Sequence, residues 1–137
     1  MSAPFSEEFP SVAQVSPQTI AAAADAVSTY VDFSDGGTIC GTAIAGAISA
    51  LSVVTVSFLQ ATAADGTDAK ALTAGGFAAK TFSASADDTI LEFRGGTKEL
   101  LDTENAFTHV AMKIAVVGGT DAIMCGVIRR GPAAYRD

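Results

Sequence analysis

The stretch LSVVTVSFLQ, from Leu51 to Gln60, decides the fold class of this chain. Val54, Val56 and Phe58 alternate with two hydroxyl residues, so the three apolar side chains fall on one face of an extended strand. The segment is also rich in β-branched residues, which are common in strands. We therefore predict a strand over residues 51–61, with these three side chains directed into the core.

This strand belongs to a longer uncharged run, from Gly36 to Ala64. A helix of about 20 apolar residues is long enough to cross a bilayer. However, the run contains glycines and many hydroxyl residues, which weaken a helix, and acidic residues flank it where basic or aromatic anchors are usual. The sequence thus favours two strands, 38–45 and 51–61, joined by a turn of small residues. Its Ala and Gly positions within 41–50 are expected to pack near a symmetry mate.

The composition indicates a single domain whose partners are proteins. A chain of 137 residues can bury one substantial core. Its net charge of −7 argues against a nucleic-acid partner, because phosphate binding depends on clustered Lys and Arg. The first ten residues contain neither the basic nor the apolar segment of a secretory signal, so synthesis in the cytoplasm is expected and no membrane partner is predicted.

Few residues suggest catalysis or metal binding. Cys40 and Cys125 lack the CxxC spacing of zinc sites, which leaves two free thiols or one disulfide between distant strands as alternatives. The single histidine, His109, shares a strand face with Lys113, which indicates an exposed strand residue and not a general base. GGTICGT begins like a phosphate-binding loop but has Thr42 in place of lysine. We predict no enzymatic activity, no metal and no cofactor.

Residues 1–27 are predicted to form an extended N-terminal arm outside the core. Prolines interrupt this segment at positions 4, 10 and 17, and leave room for only a short helical turn. Residues 28–137 are predicted to form the folded domain, which ends in a short C-terminal tail. Short strands alternate there with turn signals such as SDGG and GGTD.

The clearest strand of this domain is FTHVAMKIAVV, residues 107–117. Its alternation predicts a buried row made of Val110, Met112, Ile114 and Val116. After the GGTD turn, the segment AIMCGVIRR is predicted to pair back as the second strand of a hairpin. With little helix and no βαβ spacing, the chain is predicted to be mainly β, a single-domain antiparallel β-sandwich, of which a jelly roll is one form.

The order of four segments resembles that in small proteins from the head-gene clusters of tailed bacteriophages, encoded near the major capsid protein. The segments are YVDFSD at 30–35, ILEFRGGTKELL at 90–101, HVAMKIAVVGGTDA at 109–122 and RRGPAAYRD at 129–137. The resemblance covers residues 30–137. It implies a virion protein of the capsid decoration or cement type, located on the capsid surface after synthesis in the host cytoplasm.

Such proteins bridge neighbouring subunits of the major capsid protein, often as homo-oligomers, and commonly as trimers. By this resemblance, the candidate contact residues lie in the arm and the tail: Phe5, Phe9, Arg129, Arg130, Tyr135 and Arg136. One alternative is a head–tail connector or tail component of the virion. Another is a carbohydrate-binding β-sandwich, although the absence of Trp and the presence of only two Tyr disfavour it.

Overall fold

The structure, a computed structural model, describes residues 11–83 and 88–131. Ten strands account for most of them: β1 Ser11–Ala21, β2 Asp25–Val27, β3 Val31–Asp32, β4 Thr38–Ile48, β5 Val53–Ala61, β6 Lys70–Leu72, β7 Lys80–Ser83, β8 Ile90–Gly96, β9 His109–Val117 and β10 Asp121–Gly131. Short 3₁₀ turns cover Gly75–Phe77, Lys98–Leu100 and Thr103–Asn105. None of the helices in the described ranges has the length and apolar character needed to cross a bilayer.

The strands form two antiparallel sheets that pack face to face, which confirms the predicted mainly β sandwich. The four-stranded sheet has the order β1-β10-β4-β8. The six-stranded sheet has the order β2-β9-β5-β6, with β3 also paired to β9 and β7 also paired to β5. Every pairing is antiparallel, and each sheet therefore turns one row of side chains inward and one outward.

The core lies between the two sheets and contains the side chains of β5 that the alternation predicted to be buried. Val54, Val56 and Phe58 are all fully buried, as predicted. The ring of Phe58 meets Phe77 and Phe93 edge to face, with centroids 5.2 and 5.1 Å apart. This geometry aligns the positive edge of one ring with the negative face of the next. The aromatic cluster thus joins β5, β8 and the turn at Gly75–Phe77.

The uncharged run forms two strands as predicted, but they belong to different sheets. β4 lies in the four-stranded sheet and β5 in the six-stranded one, so the intervening turn crosses the sandwich. The small residues of β4 pack inside the chain. A Cβ atom at Gly41 would lie 2.6 Å from the Phe58 ring, and Ala43 and Ala45 are buried. The expectation of a symmetry mate at these three positions is therefore wrong.

The predicted arm is wrong for residues 11–27, because β1 is an integral strand of the four-stranded sheet. It pairs with β10 along its length and contributes Val15 and Ile20 to the core. Pro17 is accommodated because β1 is an edge strand and its register shifts between Val15 and Gln18. Edge positions and bulges are the places where a strand tolerates proline. Residues 1–10 lie outside the described part of the chain.

The strand at 109–117 has the predicted buried row, but its predicted hairpin partner is wrong. Val110, Met112, Ile114 and Val116 are all buried. However, β9 and β10 lie in opposite sheets, and β10 pairs with β1 and β4. A turn of three residues can connect two strands within one sheet or across a sandwich. Both arrangements produce the same alternation, so the sequence pattern did not distinguish them.

Candidate protein-binding surface

The sandwich has two ends of different chemical character. We call one end the tip, which consists of loops 22–24, 49–52 and 118–120 together with residues 88–89. Strand register places these loops together: Ile48 lies opposite Ala122, and Val53 lies opposite Val117. The opposite end is the base. There, loops 33–37, 62–69 and 97–108 meet the start of β1 and the end of β10.

Exposed apolar side chains concentrate in the tip half of the molecule. Among the described residues, seven large apolar side chains are exposed: Val27, Ile44, Leu51, Val53, Ile90, Val117 and Ile123. All except Val27 lie at the tip or in the strand halves that lead to it. Exposed apolar side chains that cluster in this way mark surfaces that another molecule covers.

These side chains form two patches. The isoleucine patch consists of Ile44, Ile90 and Ile123 on the outer face of the four-stranded sheet, where Ile44 lies directly opposite Ile90. Pro17 and Cys125 line the shallow depression beside it. The apolar knob consists of Leu51, Val53 and Val117. Its two valines lie opposite one another in the six-stranded sheet, and Leu51 is part of the turn that precedes Val53.

A closed set of hydrogen bonds holds the turn that carries Leu51. The Ser52 hydroxyl donates to the carbonyl oxygen of Gly118 (2.8 Å). Since that uses the only hydroxyl proton of Ser52, the Ser49 hydroxyl donates to Ser52 Oγ, 2.7 Å away. Ser49 Oγ in turn accepts the backbone N–H groups of Thr120 (2.9 Å) and Asp121 (3.1 Å). The 49–52 and 118–120 loops are therefore fixed to each other.

The tip carries acidic residues and lacks basic ones. Asp25, Asp88 and Asp121 lie at this end, whereas loops 22–24, 49–52 and 118–120 and residues 88–89 contain no Lys or Arg. Lys113, farther along β9, approaches Asp25 at 3.7 Å. Both side chains of that pair are well exposed, so the interaction is weak. The apolar surface of the tip thus has an acidic border.

The base holds most of the basic residues, and several of them bind the fold itself. Arg130 donates from Nη2 to the backbone oxygen of Asp32, and its guanidinium lies 4.5 Å from the centroid of the buried Phe33 ring. Lys98 Nζ donates to the backbone oxygen of Ser34 (3.0 Å). These contacts connect residues 32–34 to β10 and to the 97–108 loop. Arg130, a predicted partner contact, is therefore engaged within the fold.

A second polar cluster at the base is centred on Asp102. Its carboxylate accepts from Lys70 Nζ (2.5 Å) and from Asn105 Nδ2, and its backbone N–H donates to Gln60 Oε1 (2.8 Å). The hydrogen bond from Lys70, followed by that from Asn105, lowers the pKa of the Asp102 carboxyl. Lys70 also lies 4.3 Å from the Phe107 ring centroid. The cluster links the 97–108 loop to β5 and β6.

Arg129 and Arg130 are neighbours in β10 but occupy opposite faces of the sheet, as successive strand residues must. Arg129 lies opposite Cys40 on the outer face, where it borders a depression shared with Glu92 and Arg94. Arg130 lies opposite the fully buried Ile39. The structure thus separates two residues that the sequence prediction treated together. The other four predicted contact residues, Phe5, Phe9, Tyr135 and Arg136, lie outside the described ranges.

Both cysteines are free thiols on the outer face of the four-stranded sheet. Cys40 lies opposite Arg129 and Cys125 opposite Ile44, which separates them by four strand positions, about 13 Å. That distance excludes a disulfide between them. Burial raises the pKa of the Cys40 thiol, with a smaller opposing effect of Arg94. A thiol in such surroundings is less reactive than a free cysteine.

His109 shares the outer face of the six-stranded sheet with Lys113, as predicted, although it is half-buried. Its Nδ1 lies 2.9 Å from the Thr108 hydroxyl. Within residues 11–83 and 88–131, no group of three or more His, Cys, Asp or Glu side chains is placed to hold a metal ion. Comparisons with protein families, with characterised proteins and with solved structures give no match for this chain.

The apolar knob is the part of this surface that sequence reasoning missed. The sequence pattern predicts a strand that begins at Leu51, whereas this residue is part of the turn before β5. One signal was available: a bulky apolar residue stands between Ala50 and Ser52, close to a segment of small residues where a turn was expected. Turn positions usually carry Gly, Asn, Asp, Ser or Pro. A leucine at a turn position is an exception to this preference, and such an exception indicates a functional role.

Proposed function

We propose that this protein is a non-enzymatic structural component of a phage virion, of the capsid decoration or cement type. In this proposal it binds the outside of the capsid and bridges neighbouring subunits of the major capsid protein. The supporting observation is the placement of an apolar tip and a charged base at opposite ends of one sandwich. The order of sequence segments that resembles phage head proteins gives the proposal its biological setting.

Bridging requires two contact regions held at a fixed separation. The nine residues of β5 extend from tip to base, about 30 Å. Two packed sheets with a continuous core hold these regions apart. The described chain also starts and stops at the base, since Ser11 lies opposite Arg129. Contacts made at the base and contacts made through the knob would therefore engage different neighbours.

The stabilisation would follow from mass action. A protein that binds the assembled shell and not its separated subunits shifts the equilibrium toward the shell. Many identical sites of modest affinity act together on one particle. The proposed form is a homo-oligomer, a trimer, at local symmetry axes of the virion surface. Neither nucleic acid nor membrane is a proposed partner, and no cofactor is required.

The described aromatic residues disfavour the carbohydrate-binding alternative. Such sites stack sugars on exposed rings, but all six described phenylalanines are buried. They are Phe33, Phe58, Phe77, Phe82, Phe93 and Phe107. Tyr30 is half-buried, close to Gly66, and burial raises its pKa. An exposed aromatic platform is thus absent from residues 11–83 and 88–131.

The test is co-sedimentation of the purified protein with mature shells stripped of accessory proteins. The number of copies bound at saturation is compared with the number of major capsid subunits. We expect saturation at a simple ratio to that number. Saturation at only the few copies that a single vertex or a tail holds would favour the connector or tail alternative. Absence of binding would overturn the capsid proposal.

A further inference from the structure

Leu51 is unfavourably placed for a residue that serves only the fold of its own chain. Its side chain is 86% exposed, the highest value among the exposed large apolar residues. Its φ of +69° lies in the left-handed region, which disfavours branched side chains and suits Gly or Asn. Either of those residues would remove the backbone strain and the exposed apolar surface together. An outlier of this kind suggests a functional role.

The turn that carries Leu51 is formed before any partner arrives. The serine network described above joins the 49–52 turn to the 118–120 loop through Ser49 and Ser52, and Ser52 is almost completely buried. The backbone oxygen of Leu51 also packs against Gly118, where an added Cβ would lie only 2.7 Å from it. Binding would therefore lose little conformational entropy in this turn, which favours affinity.

The surface around Leu51 is exposed and apolar. Val53 is 42% exposed and Val117 is 63% exposed, and the two lie opposite each other next to the turn. A group of three exposed aliphatic side chains on a turn and its flanking strands is complementary to an apolar pocket. Anchors of this type contribute most when a pocket removes them fully from water.

The charges near the knob define the border of that site. The tip carries Asp25, Asp88 and Asp121, and its described loops carry no Lys or Arg, on a chain of net charge −7. Complementary potentials favour a partner surface with basic residues around the pocket. The same charges disfavour contact between the tips of two copies, because acidic residues would face each other.

We infer that Leu51, flanked by Val53 and Val117, inserts into an apolar pocket bordered by Lys or Arg side chains on the major capsid protein. This inference rests on the proposed function and assigns the tip as the end of the protein that binds the shell. The tip then faces the shell, and the base, where both termini of the described chain lie, faces away from this contact or toward a second subunit.

The test measures binding to stripped mature shells for the wild type and Leu51→Asn. Asparagine tolerates the left-handed backbone, so the variant should keep or raise its melting temperature while its affinity falls about tenfold or more. Val53→Thr and Val27→Thr form a matched pair, since both valines are 42% exposed and lie in strands of the same sheet. Val53→Thr should weaken binding several-fold, and Val27→Thr should leave it unchanged.

The basic border is tested separately with Asp88→Asn and with added salt. Asp88 has a φ of +59°, which asparagine also adopts, so this change removes charge with little disturbance of the backbone. Affinity for shells should fall in the variant, and wild-type affinity should fall as salt rises. If shell affinity changes neither in Asp88→Asn nor with added salt, the inference of Lys or Arg side chains around the pocket is overturned.

Each remaining result has a defined meaning. Equal shell affinity of the wild type and Leu51→Asn overturns this inference and leaves the proposed function with the base as its contact. A lowered melting temperature together with lost binding assigns Leu51 a structural role, and also overturns it. A change in the oligomeric mass of the free protein on Leu51→Asn identifies a second copy as the occupant. Absence of wild-type binding overturns the proposed function and this inference with it.

Discussion

The tip and the base of the sandwich treat their side chains in opposite ways. At the base, Arg130 and Lys98 bind backbone oxygens of the same chain, and Asp102 is held by Lys70 and Asn105. At the tip, aliphatic side chains point into solvent, although hydrogen bonds of Ser49 and Ser52 hold the turn that carries Leu51. Charge therefore serves the fold at one end, while apolar surface is left free at the other. From residue type alone, charged side chains would be expected to face solvent and apolar side chains to be buried in the fold.

The largest effect is expected from Gly119→Ala, which tests whether the tip is tightly built. Gly119 has a φ of +59°, and an added Cβ would lie 2.6 Å from the backbone oxygen of Ala50 and 2.7 Å from the backbone nitrogen of Ser52. We expect the free energy of unfolding to fall by about 3 kcal/mol, through clash and backbone strain together. Urea denaturation measures this loss.

Gly36→Ala at the base is the matched control. Gly36 also has a positive φ, +93°, but nothing lies within 4 Å of an added Cβ. Only backbone strain remains, so the loss should be about 1–2 kcal/mol. If Gly119→Ala is no more destabilising than Gly36→Ala, the 118–120 loop can move away from the 49–52 turn at little cost.

Arg130→Ala tests whether the base uses its charges internally. The change removes the hydrogen bond to Asp32 and the guanidinium that covers the Phe33 ring. We expect the free energy of unfolding to fall by about 2 kcal/mol. Arg130→Lys keeps the charge but not the planar donor group, so its loss should be intermediate. A stability equal to the wild type would instead make Arg130 available to a partner.

Ser52→Ala tests the network that presents Leu51. The substitution removes the hydroxyl of the buried Ser52, which donates to the Gly118 carbonyl and accepts from Ser49. The free energy of unfolding should fall by about 1–2 kcal/mol. Ser57→Ala, on the outer face of β5 and half-exposed, should change it by less than about 0.5 kcal/mol. Equal effects at the two serines would show that the network does not hold the tip.

The smallest effect is expected from Asp102→Asn, and it depends on pH. The folded state lowers the pKa of this carboxyl, so its ionised form stabilises the fold above the pKa of the unfolded chain. That contribution is lost as the pH falls through the lowered folded pKa. Urea midpoints at pH 7 should therefore be lower for the variant, and the difference should shrink as the pH is lowered from 7 to 2. A difference that stays constant over this range would contradict the ionic origin of the effect.

The sequence predicted burial more successfully than it predicted pairing. Alternation in β5 and β9 located their buried rows, because a period of two residues is a local property of a strand. The pairing of β1 with β10 and the separation of β9 from β10 depend on contacts between distant parts of the chain. Pro17 misled the prediction for the same reason: its effect depends on whether the strand lies at an edge.

The candidate surface was predictable only in part. The sequence prediction grouped Arg129 and Arg130 as contact residues of the C-terminal tail, although strand alternation already places them on opposite faces. The sequence did not predict the exposure of Leu51, because an apolar residue next to a strand pattern is normally assigned to the core. Its exposure follows from a turn whose shape depends on Ser49 and Ser52 in its own loop and on Gly118 and Gly119 in the facing loop. No local pattern contains that information.

The pairing of β1 with β10 also determines the timing of folding during synthesis. β1 is the first described strand and β10 the last, and among the strands within residues 11–83 and 88–131, β1 pairs with β10 alone. The ribosome must therefore release residues 121–131 before Val15 and Ile20 can enter the core. Until then the growing chain exposes an unpaired edge and an incomplete core, and contacts between such distant segments form slowly. We therefore expect substitutions in β10 to alter the dependence of expression on chaperones more than substitutions in β1 do.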